Sequence, residues 1–307
     1  MPGLDVRTTS TLSAPEATAV QLLVDAAAEL DDVTALNEAG LLNLEHSRSG
    51  VQHLMVVEEQ SGVEELLGYG QLQLGDPEST GQLVVAPTAR RRGIGTALVR
   101  RLLELAPGPL GVWALQDTPA AQALAARVWL VPARELLVMT RPLEALPAAA
   151  PLPAGVRVRT FVPGQDEDAW LRVNARAFAS HPEQGAVDNE DLAERMAEAW
   201  FDPDGFFLAE NDTGLVGFHW TKRHSAVLGE VYVLGVDPAA GGAGLGWALL
   251  DLGLVHLREA GLREVELYVE GDHERAVALY RGRGFSTASR DVMYARPRVG
   301  ARSTGPR

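Results

Sequence analysis

The chain predicts an α/β (α+β) protein made of two tandem domains, each a mixed, mostly antiparallel sheet flanked by helices. Three observations carry that expectation. At 307 residues, 46% hydrophobic and 22% charged, the chain can bury two cores of ordinary size. The stretch from Gly229 to Trp247 reads as a β-branched strand, an Asp-Pro break, a glycine-rich loop and the start of a helix. That layout has an upstream copy: Pro87, Gly93, Gly95 and Leu98 return as Pro238, Gly244, Gly246 and Leu249, each pair 151 positions apart. A repeat of that period is a duplicated domain and not a solenoid unit.

In chain order, Ala14 to Leu30 has amphipathic helical spacing, and Asn37 to Glu45 reads as a shorter helix. Leu54 to Glu58 and Leu66 to Leu74 form hairpin strands around a polar turn. Gln82 to Val85 is the strand before the first glycine loop, Gly95 to Leu105 its helix and Val112 to Leu115 the next strand. Ala120 to Arg127 is helical, and Glu135 to Met139 closes the domain as a strand. Residues 1–143 therefore form the first domain. The proline-rich run 144–155 is a semi-rigid linker.

The second domain, 156–297, restarts with Val156 to Arg159 alternating like a strand. Asp166 to Ala179 and Asn189 to Trp200 are helical, joined by a loop carrying Glu183. Phe206 to Glu210 and Leu215 to Lys222 form a hairpin around Asn211-Asp212-Thr213-Gly214. Glu230 to Val236 is the central strand and Leu245 to Glu259 its helix. A strand (Glu264 to Val269), a helix (His273 to Arg281) and a strand (Ser286 to Tyr294) follow. Residues 298–307 read as a disordered tail.

Bulk properties narrow the function. No apolar run approaches the roughly 20 residues of a membrane span, and the N-terminus has no signal-peptide pattern. With no cysteine there is no disulfide, thiol nucleophile or Cys-ligated metal, so the cytoplasm is the expected compartment. The net charge of −14 argues against nucleic acid or an anionic membrane as partner. A monomer is expected. The histidines show no metal-binding spacing, so no metal is expected and they read as structural or surface residues.

A glycine loop that opens a helix leaves free N–H groups at the positive end of the helix dipole, which suits a phosphate or pyrophosphate. It is not a P-loop, because Trp247-Ala248 follows where Lys-Ser or Lys-Thr is needed, and the glycines lack the dinucleotide G-x-G-x-x-G spacing. Val236-Asp237-Pro238, then Gly244-Leu245-Gly246 and a helix, resembles the acyl-CoA loop, [Q/R]-x-x-G-x-[G/A], of the GNAT acetyltransferase superfamily. In the first copy Arg90 supplies the leading motif position; in the second, Gly241 stands there. The run Ala276 to Phe285 resembles the superfamily's A-x-x-x-Y…G-F signature, which places Tyr280 at the thioester sulfur. Acetyl transfer to an amine needs the ammonium proton removed and the departing thiolate protonated. Glu230 and Tyr280 are the catalytic candidates for those two tasks. Counting back from Val-x-Pro puts Ser79 opposite Glu230, and the helix 120–128 has no tyrosine.

His-Pro-Glu-Gln-Gly at 181–185, Trp200 to Gly205, Gly217 to Lys222 and Gly229 to Ala240 resemble the mycothiol synthase family of tandem GNAT proteins. That resemblance implies acetyl-CoA as co-substrate and cysteinyl-glucosaminyl-inositol as the small-molecule acceptor. It also implies a catalytic second domain and a first domain that binds acetyl-CoA without turnover. It places Glu38, Glu183, Lys222, Glu230 and Tyr268 against the acceptor. For acetyl-CoA it implies Leu234, Gly235 and Val236, the loop Gly241, Gly242, Ala243, Gly244, Leu245, Gly246 and Trp247, and His273, Glu274, Arg275, Ala276, Val277 and Ala278. In the first domain it implies Leu83, Val84, Val85, Arg91, Arg92, Gly93, Ile94, Gly95 and Thr96. His273 stands where the GNAT superfamily usually has Asn. Two other readings stay open on the residues alone: a tandem GNAT enzyme for another small amine or a protein N-terminus, and a non-catalytic acyl-CoA sensor.

Overall fold

The structure, a computed structural model, describes residues 5–297 apart from Ser47, Ser61, Asp76, Ser180, His181 and Ala243, and leaves out the side chains of Gln60, Val63, Pro182 and Glu183. The tail expected at 298–307 lies outside the described residues. Two compact units are present: one is residues up to 136 together with the chain from 289 on, the other residues 137–288. No helix among the described residues is long and apolar enough to cross a membrane.

The first unit contains β1 (Arg7–Thr9), α1 (Ala14–Asp31), α2 (Glu38–Glu45), β2 (Val51–Gln60), β3 (Val63–Gln73), β4 (Ser79–Val85), α3 (Ile94–Leu105), β5 (Leu110–Ala114), α4 (Pro119–Arg127) and the start of β6 (Val131–Pro142). Helix α1 begins where the Glu16 carboxylate accepts from the Ser13 N–H at 2.8 Å, satisfying a donor that a helix start leaves orphaned. Its stripe Val20, Leu23, Val24 and Ala27 is buried. Strand β1 escapes sequence reading because three residues cannot display an alternation; it pairs antiparallel with β2.

The second unit contains the rest of β6, then β7 (Arg157–Thr160), α5 (Glu167–Ala177), α6 (Pro182–Gly185), α7 (Asn189–Ala197), β8 (Phe206–Asn211), β9 (Gly214–Arg223), β10 (Leu228–Val236), α8 (Leu245–Glu259), β11 (Glu264–Glu270), α9 (Glu274–Gly282) and the start of β12 (Ser286–Ala295). Trp170 on α5 meets Phe206, Phe218 and Trp220 edge-on at 5.3–5.8 Å between ring centroids, the geometry that ring quadrupoles favour. Helix α7 stops at Ala197, short of the expected Trp200. Glu198 turns extended (ψ 145), which lets Trp200 pack on Tyr232 at 4.9 Å instead of continuing the helix.

The division differs from the expected 1–143 and 156–297 at both ends. Strand order is β1-β2-β3-β4-β5-β12 in the first unit and β6-β11-β10-β9-β8-β7 in the second. The last strand leaves the second unit at residue 289 and pairs antiparallel with β5, Val292 opposite Ala114. Strand β6 instead carries Met139 into the second unit's core beside Val265 and Leu267. Local periodicity identifies both strands but is blind to which β-edge each one completes.

Candidate active site

Strand β10 is paired unequally on its two sides. Against β9 it runs in antiparallel register up to Val236 opposite Gly217. Against β11 the parallel ladder holds only from Leu228–Glu264 to Glu230–Glu266. Beyond Glu230 the two strands part, so residues 231–236 keep a sheet edge facing a cleft. An extended chain carrying amides can complete such an edge by β-augmentation. At the fork the β9 pairing also slips by one residue between Val231 and Val233, a bulge that re-aims neighbouring side chains.

A polar cluster occupies the fork. Glu230 is 6% exposed, and its Oε2 lies 2.7 Å from His224 Nε2. The same nitrogen is 3.4 Å from Glu266 Oε1. The hydrogen bond to Glu230 raises the His224 pKa, against the effect of burial. Burial, followed by the neighbouring Glu230 charge, raises that of Glu266, while His224 and the Tyr268 hydroxyl act the other way. Lys222, the register partner of Glu230 on β9, is 8% exposed. Its ammonium sits 4.5 Å from the Trp200 ring centroid and 5.1 Å from that of Tyr232, where ring faces stabilise a cation. Tyr268 is 44% exposed and shares a face of β11 with Glu266.

The structure places Lys222, Glu230 and Tyr268 on the neighbouring strands β9, β10 and β11. Glu183 falls in α6, with its side chain outside the described residues. Glu38 opens α2 in the first unit. There Asn37 Oδ1 accepts from the Gly40 N–H and from Gln82 Nε2, both at 2.9 Å. Sequence reasoning missed His224 and Glu266. His224 is no bystander surface residue: the β9–β10 hairpin folds it back onto a residue six positions later. The available signal was a histidine in the turn after Lys222, with a carboxylate as the third residue of each of two parallel strands. His224, Glu230 and Glu266 bring a ring nitrogen and two carboxylate oxygens within 4.8 Å of one another.

Tyr280 lies on α9, 9% exposed, with Phe285 edge-on at 5.8 Å. Burial pushes its phenol up to about 12, so it holds its proton near neutrality. Among the described residues its hydroxyl has no hydrogen-bond partner. Helix α9 is held from several sides. Trp247 packs where any Cβ on Gly282 would stand, at 2.6 Å. Arg283 lies 4.4 Å from the Trp247 ring centroid and donates to Asp251 at 2.7 Å. Arg141 donates to the Arg283 carbonyl. Of the predicted cofactor contacts on this helix, His273 is its N-cap, and Glu274, Arg275, Ala276, Val277 and Ala278 form its first turns.

The two glycine loops share one backbone path. Gly241 (φ −71, ψ 161) matches Arg90 (φ −62, ψ 157). Gly242 (φ 91) matches Arg91 (φ 65), and Gly244 (φ 84) matches Gly93 (φ 90). Both N-cap glycines are left-handed, and a Cβ built on either meets nothing within 4 Å. The space over the first turns of α8 and α3 is open to an anion approaching their free N–H groups. Ala243 lies outside the described residues. With Leu234, Gly235 and Val236 on the cleft edge, this donor set fits a pyrophosphate followed by an amide-bearing arm, as in acetyl-CoA. In the first unit β4 forks from β5 after Gly81, leaving Leu83, Val84 and Val85 on the edge and Ile94, Gly95 and Thr96 opening α3. Its arginines are engaged, however. Arg90 pairs with Asp31 through two bonds of 2.6 and 2.7 Å, and Arg92 pairs with Glu58; Arg91 is exposed and has no carboxylate partner among the described residues.

The first unit lacks the proton-transfer pair. The bulge at Tyr232 adds one residue to β10 that β4 does not have. Matching Val236–Gly217 to Val85–Gly68 therefore puts Thr80, not Ser79, at the Glu230 position. Gly246 faces Leu279 and Gly95 faces Leu124, so Ala125 stands where Tyr280 does. A cavity of about 570 Å³ in this unit, lined by Glu78, Pro109 and Arg134 among others, lies at the other end of β4 from the fork.

A forked sheet beside a glycine-loop helix, with a carboxylate at the fork and a buried tyrosine on the last helix, is the arrangement of the GNAT acetyltransferases. Residues 170–285 match the model for the Acetyltransferase (GNAT) family, and residues 50–128 that for the Acetyltransferase (GNAT) domain. The chain is similar over 95% of its length to two solved structures. One is a GCN5-related N-acetyltransferase from Sphaerobacter thermophilus (26% identity, 96% of that chain, TM-score 0.66). The other is a tandem GNAT protein of clavulanic acid biosynthesis (21%, 98% of that chain, TM-score 0.69). It is 50% identical over 292 residues to the mycothiol acetyltransferase of Thermomonospora curvata, covering 93% of this chain and 95% of that one. The Streptomyces avermitilis mycothiol acetyltransferase is 49% identical over 297 residues, 95% of each chain. The chain is an acetyl-transferring enzyme and belongs to the mycothiol acetyltransferase family within the GNAT superfamily.

Proposed function

We propose that the second unit transfers the acetyl group of acetyl-CoA to the cysteinyl α-amine of cysteinyl-glucosaminyl-inositol, forming mycothiol. The observation that carries this reading is Glu230 at the fork of β10 and β11, in the same unit as a buried, protonated Tyr280. The acceptor joins a cationic amine to a polyhydroxylated body. Glu230 and Glu266 suit the amine, and Lys222, Tyr268 and Glu183 suit the hydroxyls.

The α-ammonium, with a reference pKa of about 7.7–8.0, gives its proton to Glu230, so a modest base suffices near neutrality. The amine nitrogen then attacks the thioester carbon; the C–N bond forms as the C–S bond breaks. The departing thiolate takes the Tyr280 proton, and the second proton that the attacking nitrogen loses as the amide forms returns to the tyrosinate, restoring Tyr280. Acetyl-CoA is held by its pyrophosphate on the loop 241–246 and by its amide arm on the edge 231–236. The first unit binds a second acetyl-CoA on its own loop, and with Thr80 and Ala125 in place of the pair it transfers nothing.

Incubation with acetyl-CoA and cysteinyl-glucosaminyl-inositol tests this. Mass spectrometry should find one acetyl group on the cysteinyl amine, with free CoA released in equal amount. Turnover of an aminoglycoside or a peptide N-terminus, with the pseudodisaccharide untouched, would overturn the substrate assignment.

A further inference from the structure

We propose that His224 is a positioning residue for the reaction, a cation that holds the Glu230 and Glu266 carboxylates ionised and aims one Glu230 oxygen at the incoming amine. The proposal rests on Glu230 being the proton acceptor. Glu230 and Glu266 are register neighbours on adjacent parallel strands, and both are largely withdrawn from water. Two such carboxylates repel, and left alone one of them keeps a proton and stops being a base. His224 Nε2 reaches both, at 2.7 and 3.4 Å. It commits Glu230 Oε2, so the other oxygen is the one that receives the ammonium proton.

The imidazole is itself held in place. The hairpin turn is closed by His224 N–H and Ser225 N–H donating to the Leu228 carbonyl at 3.0 and 3.3 Å. Ser225 Oγ accepts from the Val227 and Leu228 N–H groups at 3.2 and 3.1 Å. The Val227 carbonyl in turn accepts from Arg263 and Glu264 at 2.9 and 3.0 Å, tying the turn to β11. The charged groups that act on His224 are Lys222 on β9, Glu230 on β10 and Glu266 on β11, and Glu264 and Tyr268 on β11 act in turn on Glu266. Lys222 is cationic too, its ammonium seated against the rings of Trp200 and Tyr232 and repelling a charge on His224. His224 is the group whose ring nitrogen makes a close contact with both carboxylates.

The test compares His224→Ala and His224→Gln with the parent enzyme, using full pH profiles of kcat/KM for the amine. His224→Ala should lower kcat about 10- to 100-fold at pH 7, within the usual reach of proton-transfer effects. The KM for acetyl-CoA should not change, and the acid limb should move up by roughly one pH unit, so the deficit shrinks in alkali. His224→Gln, whose amide can still donate to Glu230, should recover part of the rate and keep less of the shift. An unshifted profile in both variants, or equal losses in both that track a fall in thermal stability, would overturn the proposal. Rates are read on whichever amine the parent acetylates. A parent inactive on the pseudodisaccharide refutes the substrate assignment, while the role of His224 is still decided on the amine it does use.

Discussion

Glu230 and Tyr280 are held in opposite ways, and that difference decides what each can do. Glu230 sits among charges and hydrogen-bonding groups, whereas Tyr280 is walled in by apolar side chains that keep its proton on. Glu230→Gln should cut turnover about 100- to 10,000-fold, the scale of losing a general base, with the loss shrinking as the free amine becomes abundant at high pH. Tyr280→Phe keeps the ring packing and should lower kcat while leaving acetyl-CoA affinity unchanged, as calorimetry would show. Unchanged kcat with weakened binding would make Tyr280 a contact residue only. The places of these two residues, on the central strand and on the last helix, were legible in the sequence because each lies inside a local motif. His224 and Glu266 were not, because a hairpin turn and a parallel strand bring them to Glu230. Another residue-scale consequence concerns acid stability. His219 is fully buried, its ring nitrogen 2.7 Å from the Leu249 carbonyl, and burial pushes its pKa down to about 4. Between about 4 and the ordinary histidine value the unfolded chain therefore binds the extra proton. Stability is full above about pH 6.5 and falls as pH drops, by about 2 kcal/mol between pH 7 and 5 from this residue. Denaturant titrations at the two pH values should show that extra loss in the parent and not in His219→Gln. Equal pH dependence in both would remove His219 as its source.

At the scale of elements, nearly every strand and helix was visible in periodicity, capping residues and turn chemistry, and the duplicated glycine loops located the cleft. The destination of the closing strands was not visible. Strand β6 belongs to the second unit from residue 137, and β12 to the first from residue 289. Hydrophobic alternation reports that a strand has a buried face, and both edges it might join offer an apolar face to cover. The consequence is specific. A first fragment, 1–143, would leave β5 without Val292 and Tyr294, which are 4% and 7% exposed in the folded protein. A second, 156–307, would lack Met139 and Leu143, both fully buried in the core that contains Tyr280. Exposed edges with apolar faces aggregate. Each fragment expressed alone should be poorly soluble and show no cooperative thermal transition; a cooperative transition in either would contradict the exchanged strands.

Across the whole molecule, one layout is present twice, as two GNAT domains. The described residues of the two phosphate loops share their backbone conformation, left-handed residues included, and in each unit the central strand keeps a three-residue parallel ladder before it forks. What differs is chemistry carried by few side chains: Glu230 against Thr80, Tyr280 against Ala125, and a first-unit loop whose Arg90 and Arg92 are already engaged by Asp31 and Glu58. A ligand bound there stabilises the folded state by mass action without being consumed. The central claim is that turnover belongs to the second unit alone. The most direct measurement is kcat/KM for acetyl-CoA in Gly93→Val and Gly244→Val, matched substitutions that impose the same left-handed strain at the same place in each loop. The Gly244 variant should lose nearly all turnover. The Gly93 variant should keep most of it, even if acetyl-CoA no longer raises its melting temperature as far. A Gly244 variant that turns over well, beside a dead Gly93 variant, would place the chemistry in the other half.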